Sequence, residues 1–155
     1  MRAQLLYDWE RNFVEPSAQS FMSREDCLSL VFRSSAAAGI PAPRVRFAKS
    51  TRAPCRAVPS RWEVVIADWG RNPVTVLHEV AHLATLPAIA AGEDPHGPSF
   101  LAQAIAFYAD FLGMDEAKLR KTAAAIGLAV APRPGGRNAE KPPSASRGGF
   151  SDIEF

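Results

Sequence analysis

The sequence predicts an α+β domain, and three observations carry that reading. Capped or periodic helical stretches lie at both ends of the first 130 residues, and short β-branched, arginine-rich runs lie between Pro41 and Ala67. Beyond about residue 131 a Pro/Gly/Ser-rich composition takes over. The 155 residues suffice for one domain with its own core and are few for two. We therefore expect one domain over residues 1–130 and a disordered tail over 131–155. The tail ends in "GGFSDIEF", whose aromatic, aliphatic and acidic residues make it either a short docking segment or an unstructured end.

Taken in order, Arg2 to about Phe13 has a moderate helical pattern. "SREDCLSLVFRSSAAAG" is clearer: Ser23 can cap, Asp26 stands three residues on, and Leu28, Val31 and Phe32 form an apolar stripe that ends near Gly39. Pro41 and Pro43 break that pattern, and "RVRFAKS", "APCRAVP" and "RWEVVIA" follow as three extended runs, read as a small antiparallel meander. The next helix starts with Asn72 as cap and Pro73 at its first position, and Pro87 ends or kinks it. Another starts at Pro98, carries Phe100, Leu101, Ile105, Tyr108 and Leu112, and stops at Gly113. A last helix runs from about Glu116 to Ile126.

Composition excludes several classes. The net charge of +2 gives no whole-chain reason for a polyanionic partner. No stretch approaches the ~18 apolar residues of a membrane span, and "MRAQLLYDWERNF" carries charges where a signal peptide needs an apolar core, so a cytoplasmic protein is expected. Cys27 and Cys55 are single and far apart, which fits two free thiols and not a thiolate metal site.

All three histidines lie in "HEVAHLATLPAIAAGEDPHGPSF". At 100° per residue His78 and His82 stand about 40° apart and one turn apart, so both imidazoles can grip one ion. Glu79 lies beside His78, where its carboxylate can take a proton from a bound water. Thr75, His78, Glu79, His82 and Thr85 share an arc of about 120°, with apolar residues on the other side, so one face should enter the core and the other present ligands. A metal that does chemistry needs a third protein ligand. His96 is the remaining histidine, separated from His82 by thirteen residues (83–95), with Glu93 and Asp94 as alternatives on the same loop. The competing interpretation of all three is as core histidines without a metal.

"HEVAH" followed by "HGPSF" resembles the zincin metallopeptidases of the SprT and Spartan type, whose pattern is HExxH, a loop and an HGxxF-like motif. The chain is also similar to small actinobacterial and phage metallohydrolases. The resemblance covers roughly residues 60–113. It implies a zincin-like fold, with His78, His82 and His96 as Zn2+ ligands and Glu79 as general base of a peptidase. It further implies that the strand Trp62 to Ala67 is an edge beside the cleft. A peptide substrate would then add to that edge along Trp62, Val64 and Ile66. Gly97 and Pro98 would shape the turn that aims His96, and Phe100 would be core. The oxyanion helper is open: Tyr108 lies about three turns down its helix, too far from the metal. Tyr7 or an arginine of the strand region could serve.

Two competitors share these residues. One is a non-peptidase zinc amidohydrolase. The other is a binding module in which zinc ties the helices together, which needs a closed fourth ligand from Cys55 or Cys27. Finally, Arg44, Arg46, Lys49, Arg52, Arg56 and Arg61 form a stretch without an acid until Glu63. Protection of strand edges explains it, and DNA binding, marked by a steep salt dependence, is the less favoured reading.

Overall fold

The computed structural model describes residues 2–18 and 20–135. Helix α1 (Arg2–Phe13) is followed by a short α2 (Glu15–Ala18) and by α3 (Arg24–Ala37). Strands β1 (Arg44–Ala48), β2 (Arg56–Val58) and β3 (Glu63–Ala67) come next, then α4 (Pro73–Ala84), α5 (Leu86–Ala90), α6 (Pro98–Leu112) and α7 (Glu116–Ala125). The α+β class is as expected, and α3, α4 and α7 each begin where a capping residue stands. Ser23 Oγ accepts from Asp26 N, Asn72 Oδ1 from Thr75 N and Asp115 Oδ1 from Lys118 N, so each offsets a donor that the first turn leaves unpaired.

The buried row of α3 differs from the expected one. Cys27, Leu30, Val31 and Ser34 face inward, while Leu28 is 45% exposed and Phe32 65%. A helix turns an i, i+3, i+4, i+7 row to its neighbour, and here that row contains a small thiol, Cys27, and a hydroxyl, Ser34. Ser34 is accommodated because its hydroxyl donates to Leu30 O at 2.7 Å.

The sheet is mixed, not an antiparallel meander. Its order is β1-β3-β2, with β2 antiparallel and β1 parallel to β3. The turn at Pro59–Arg61 reverses the chain into a β2–β3 hairpin, and Trp62 closes it in the left-handed region at φ 48°. Strand β3 is therefore central, and all five of its residues are buried. This corrects the expectation of an edge strand at Trp62–Ala67: both sides of β3 carry strands, Val64 and Ile66 are core, and the Trp62 indole donates to Pro41 O. None of the three is placed to pair with a peptide. The unbroken run Val64-Val65-Ile66 is itself the mark of a strand covered on both faces.

Helix α4 occupies the middle of the molecule, packed on α3, α6, β2 and β3. It is buried on nearly every side, including the arc that carries the histidines, so the expected division into a core face and an open face does not hold. Helix α1 closes over that arc with Leu6, Trp9 and Glu10, and the Trp9 indole donates to Thr122 Oγ1 of α7 at 2.9 Å. The ordered domain runs past residue 130: Ala131 N donates to Pro98 O, and Arg133 pairs with Asp110 and Glu116. The rest of the expected disordered tail, including "GGFSDIEF", lies outside the described residues. Among the described residues no helix is long and apolar enough to cross a membrane.

Candidate metal centre

His78 and His82 project from successive turns of α4, and their Nε2 atoms stand 3.2 Å apart. Two nitrogens bound tetrahedrally to one zinc at 2.0–2.1 Å are separated by about 3.3 Å, so the pair has the spacing that a shared ion requires. His96 completes the group: one ligand atom from each of the three imidazoles lies within 4.8 Å of the others. The Phe100 ring forms the floor, with centroid distances of 4.9, 4.4 and 5.1 Å to His78, His82 and His96. Phe100 is core, as expected, and it also fixes the imidazole planes.

Local chemistry of the 92–99 loop aims His96. Asp94 Oδ1 accepts from His96 N at 2.8 Å, while the Glu93 carboxylate accepts from both the backbone and the hydroxyl of Ser99. Both acids are thus committed to holding the turn, and neither belongs to the ligand cluster. From the other side, Arg2 Nε donates to His96 O at 3.0 Å. Gly97 is required by space: a Cβ there would meet the Glu93 side chain at 2.7 Å and the Asp94 carbonyl oxygen at 2.8 Å.

One residue of the site, Glu10, was missed in the sequence. Glu10 is only 5% exposed, and its Oε1 lies 2.8 Å from His78 Nδ1 and accepts from the Tyr108 hydroxyl at 2.6 Å. A carboxylate on the far nitrogen selects the tautomer in which Nε2 carries the lone pair for a metal. Tyr108 therefore reaches the centre through Glu10 and not by direct contact. The available signal was an acid in the Leu6, Trp9, Glu10 row, at a position an apolar residue would normally fill.

Burial sets the protonation states. It pushes His82 well below its ordinary range and His96 down to about 4, which leaves both neutral and able to ligate at pH 7. Burial acts in the same direction on His78, but the Glu10 carboxylate outweighs it and raises His78 to about 9. A metal arriving at neutral pH must displace that proton. Glu79 is raised to about 7, chiefly by burial, against the opposing pull of His78 and of the Ala57 N–H that it accepts. Among the described residues its Oε2 is buried with no hydrogen-bond partner, and so is His96 Nε2. An acceptor oxygen without a partner, on a carboxyl group close enough to His78 for the two to interact electrostatically, and an unused imidazole nitrogen are groups that a metal-bound water could engage.

Tyr7 is brought to the mouth of the site. Its ring stacks on His78 at 5.8 Å and meets His96 edge-on at 5.7 Å, and it is 43% exposed. Burial, then the Glu79 and Glu10 carboxylates, raise its hydroxyl above the ordinary tyrosine range, so it stays a proton donor. Neither cysteine joins the cluster: Cys27 is fully buried, and Cys55 Sγ accepts from Ala67 N at 3.2 Å. In the basic stretch, Arg46 and Arg61 share Glu63, at 3.3 and 3.7 Å. Glu63 alternates along β3 with Val64 and Ile66, so these charges lie on the face of the sheet turned from the main core.

With this geometry established, comparison adds no relative: no family model, no curated protein and no solved structure matches this chain.

One consequence concerns Glu10. Glu10→Gln keeps the volume and an acceptor oxygen but removes the charge that orients His78. Zinc affinity, read by competition with a chromophoric chelator, is expected to fall about 10- to 100-fold while the far-ultraviolet circular dichroism is unchanged.

Proposed function

We propose that the chain is a zinc-dependent hydrolase that cleaves peptide bonds. The observation that carries the reading is the buried, unpartnered Glu79 Oε2 beside three converging imidazoles. The donor set fits zinc: three imidazole nitrogens, with no thiolate or carboxylate among them. When bound, zinc supplies an acidified water and a polarised carbonyl. Glu79 then takes the proton at Oε2 and returns it to the departing amine, a shuttle favoured by a carboxyl whose burial holds it near neutrality. Glu10 holds the His78 ring against rotation, and Phe100 keeps water from the inner side of the centre.

Tyr7 is the residue placed to donate to the developing oxyanion, because its hydroxyl remains protonated and its ring borders both His78 and His96. Tyr7→Phe is expected to retain zinc and to lower kcat roughly 100-fold with little change in KM.

The outer strands of the sheet are β1 and β2, and the Ala57 N–H of β2 is spent on Glu79. Substrate binding by strand addition at that position is therefore not part of the mechanism. The reading is tested with a disordered polypeptide and with small anilide amides, each incubated with the zinc-loaded protein. Cleavage of the polypeptide, abolished by 1,10-phenanthroline and restored by zinc, supports it. Cleavage confined to the small amides would move the protein to the amidohydrolases, and no cleavage of either would defeat the proposal.

A further inference from the structure

A second feature borders α4. A cavity of about 520 Å³ lies between the 20–22 segment, the 69–72 turn and the first turn of α4, with Val74 and Thr75 in its wall. Its volume is that of a ligand site. Two aromatic rings stand at it largely in solvent, Phe21 at 72% exposure and Trp69 at 54%. Exposed rings of this size are ordinarily mobile, yet each of these is held. The Trp69 indole donates to Ala53 O at 2.7 Å, and the Arg71 guanidinium lies 4.4 Å from the centre of the Phe21 ring. Met22 N donates to Arg71 O at 2.8 Å and ties the two walls together.

Thr75, in the cavity wall, precedes Glu79 by one helical turn and lies on the same arc of α4, so the two residues are about 6 Å apart along the helix axis. That is roughly the span of two extended residues. We infer that this cavity is the specificity subsite of the enzyme and takes an aromatic side chain of an extended polypeptide, seated against Phe21 and Trp69 about two residues from the bond that is cut. The inference rests on the peptidase reading for the second half of that statement only. Rings decide the selection because charge does not: Arg71 and Glu15 both line the cavity and offer opposite signs. Arg71 is in addition engaged by Phe21 and, at 3.8 Å, by Asp68. Fixed rings favour a planar partner, since offset or edge-on stacking adds to the burial of the side chain.

The experiment has two arms, so that the subsite and the peptidase can fail separately. In the first, the capped pentapeptides acetyl-Gly-Gly-Phe-Gly-Gly-amide and acetyl-Gly-Gly-Ala-Gly-Gly-amide are titrated into zinc-loaded, 15N-labelled protein. The Phe peptide is expected to shift the Trp69 indole N–H resonance saturably and the Ala peptide not to. Phe21→Ala, at a position too exposed to threaten the fold, should weaken the Phe peptide by roughly fivefold. Equal shifts from both peptides, or none at Trp69, overturn the subsite. In the second arm, cut sites in a disordered polypeptide are mapped by mass spectrometry. Enrichment of Phe, Tyr or Trp about two residues from the cut, lost in Phe21→Ala while cutting continues, supports the proposal. Cutting without that enrichment overturns the subsite and leaves the peptidase standing. A positive first arm with no cutting at all overturns the peptidase and leaves an aromatic-binding site.

Discussion

His96→Ala is expected to reduce the zinc content of tag-free protein from about one ion per chain to a small fraction of that, measured by elemental analysis after dialysis against metal-free buffer. The effect should be this large because nothing nearby can replace the lost nitrogen. Asp94 is engaged by the backbone of residue 96 and Glu93 by Ser99, so recruiting either would undo the turn that brings the loop to α4. Cys55 is occupied with Ala67 N, and Cys27 is buried outside the cluster. Two imidazoles on one helix remain in His96→Ala, and a pair of ligands holds zinc far more weakly than three. His82→Ala should lose the metal equally. Its neighbour Glu79 then loses its reaction partner, so hydrolysis disappears as well. Stoichiometric zinc in His96→Ala would remove His96 from the ligand set. Wild-type protein that takes up no zinc at neutral pH would return all three histidines to the core.

That site was largely legible in the sequence, and the reason is local. HExxH works through helix geometry alone, and the cap Asn72, with Pro73 after it, fixes where the helix begins and so which residues share a face. His96 needed one more step, a loop of workable length ahead of a helix start. What could not be read depends on contacts between distant residues. Glu10 meets His78 across 68 positions and Tyr108 across 98, and no periodicity in α1 announces either partner. Only the oddity of an acid in a buried row hinted at it. Sheet order failed for the same reason: pairing of β1 with β3 skips a strand, and a hydrophobic run fixes burial on two faces without naming the neighbours. In α3 the apolar residues Leu28 and Phe32 point outward, because the packing row was chosen by α4 and includes Cys27 and Ser34 instead.

The variant that separates a hydrolase from a metal-tied scaffold is Glu79→Gln. It preserves shape and keeps an acceptor for the Ala57 N–H, so the fold and the three imidazoles should be undisturbed. Zinc content should stay at the wild-type level, because Glu79 stands outside the ligand cluster. Hydrolysis should fall by at least about a thousandfold, since an amide at this position has no basic oxygen to receive the proton and none to deliver to the leaving amine. Folding stability is also expected to hold or to rise slightly, because a buried carboxyl with a raised pKa is replaced by a neutral group that costs less to bury. A purely structural zinc would give the same metal content and the same slight stabilisation, so those two readouts cannot distinguish the readings. The rate does. If Glu79→Gln retains zinc and cleaves at the wild-type rate, the proton shuttle assigned to Glu79 is wrong, and the unpartnered Oε2 would need another explanation.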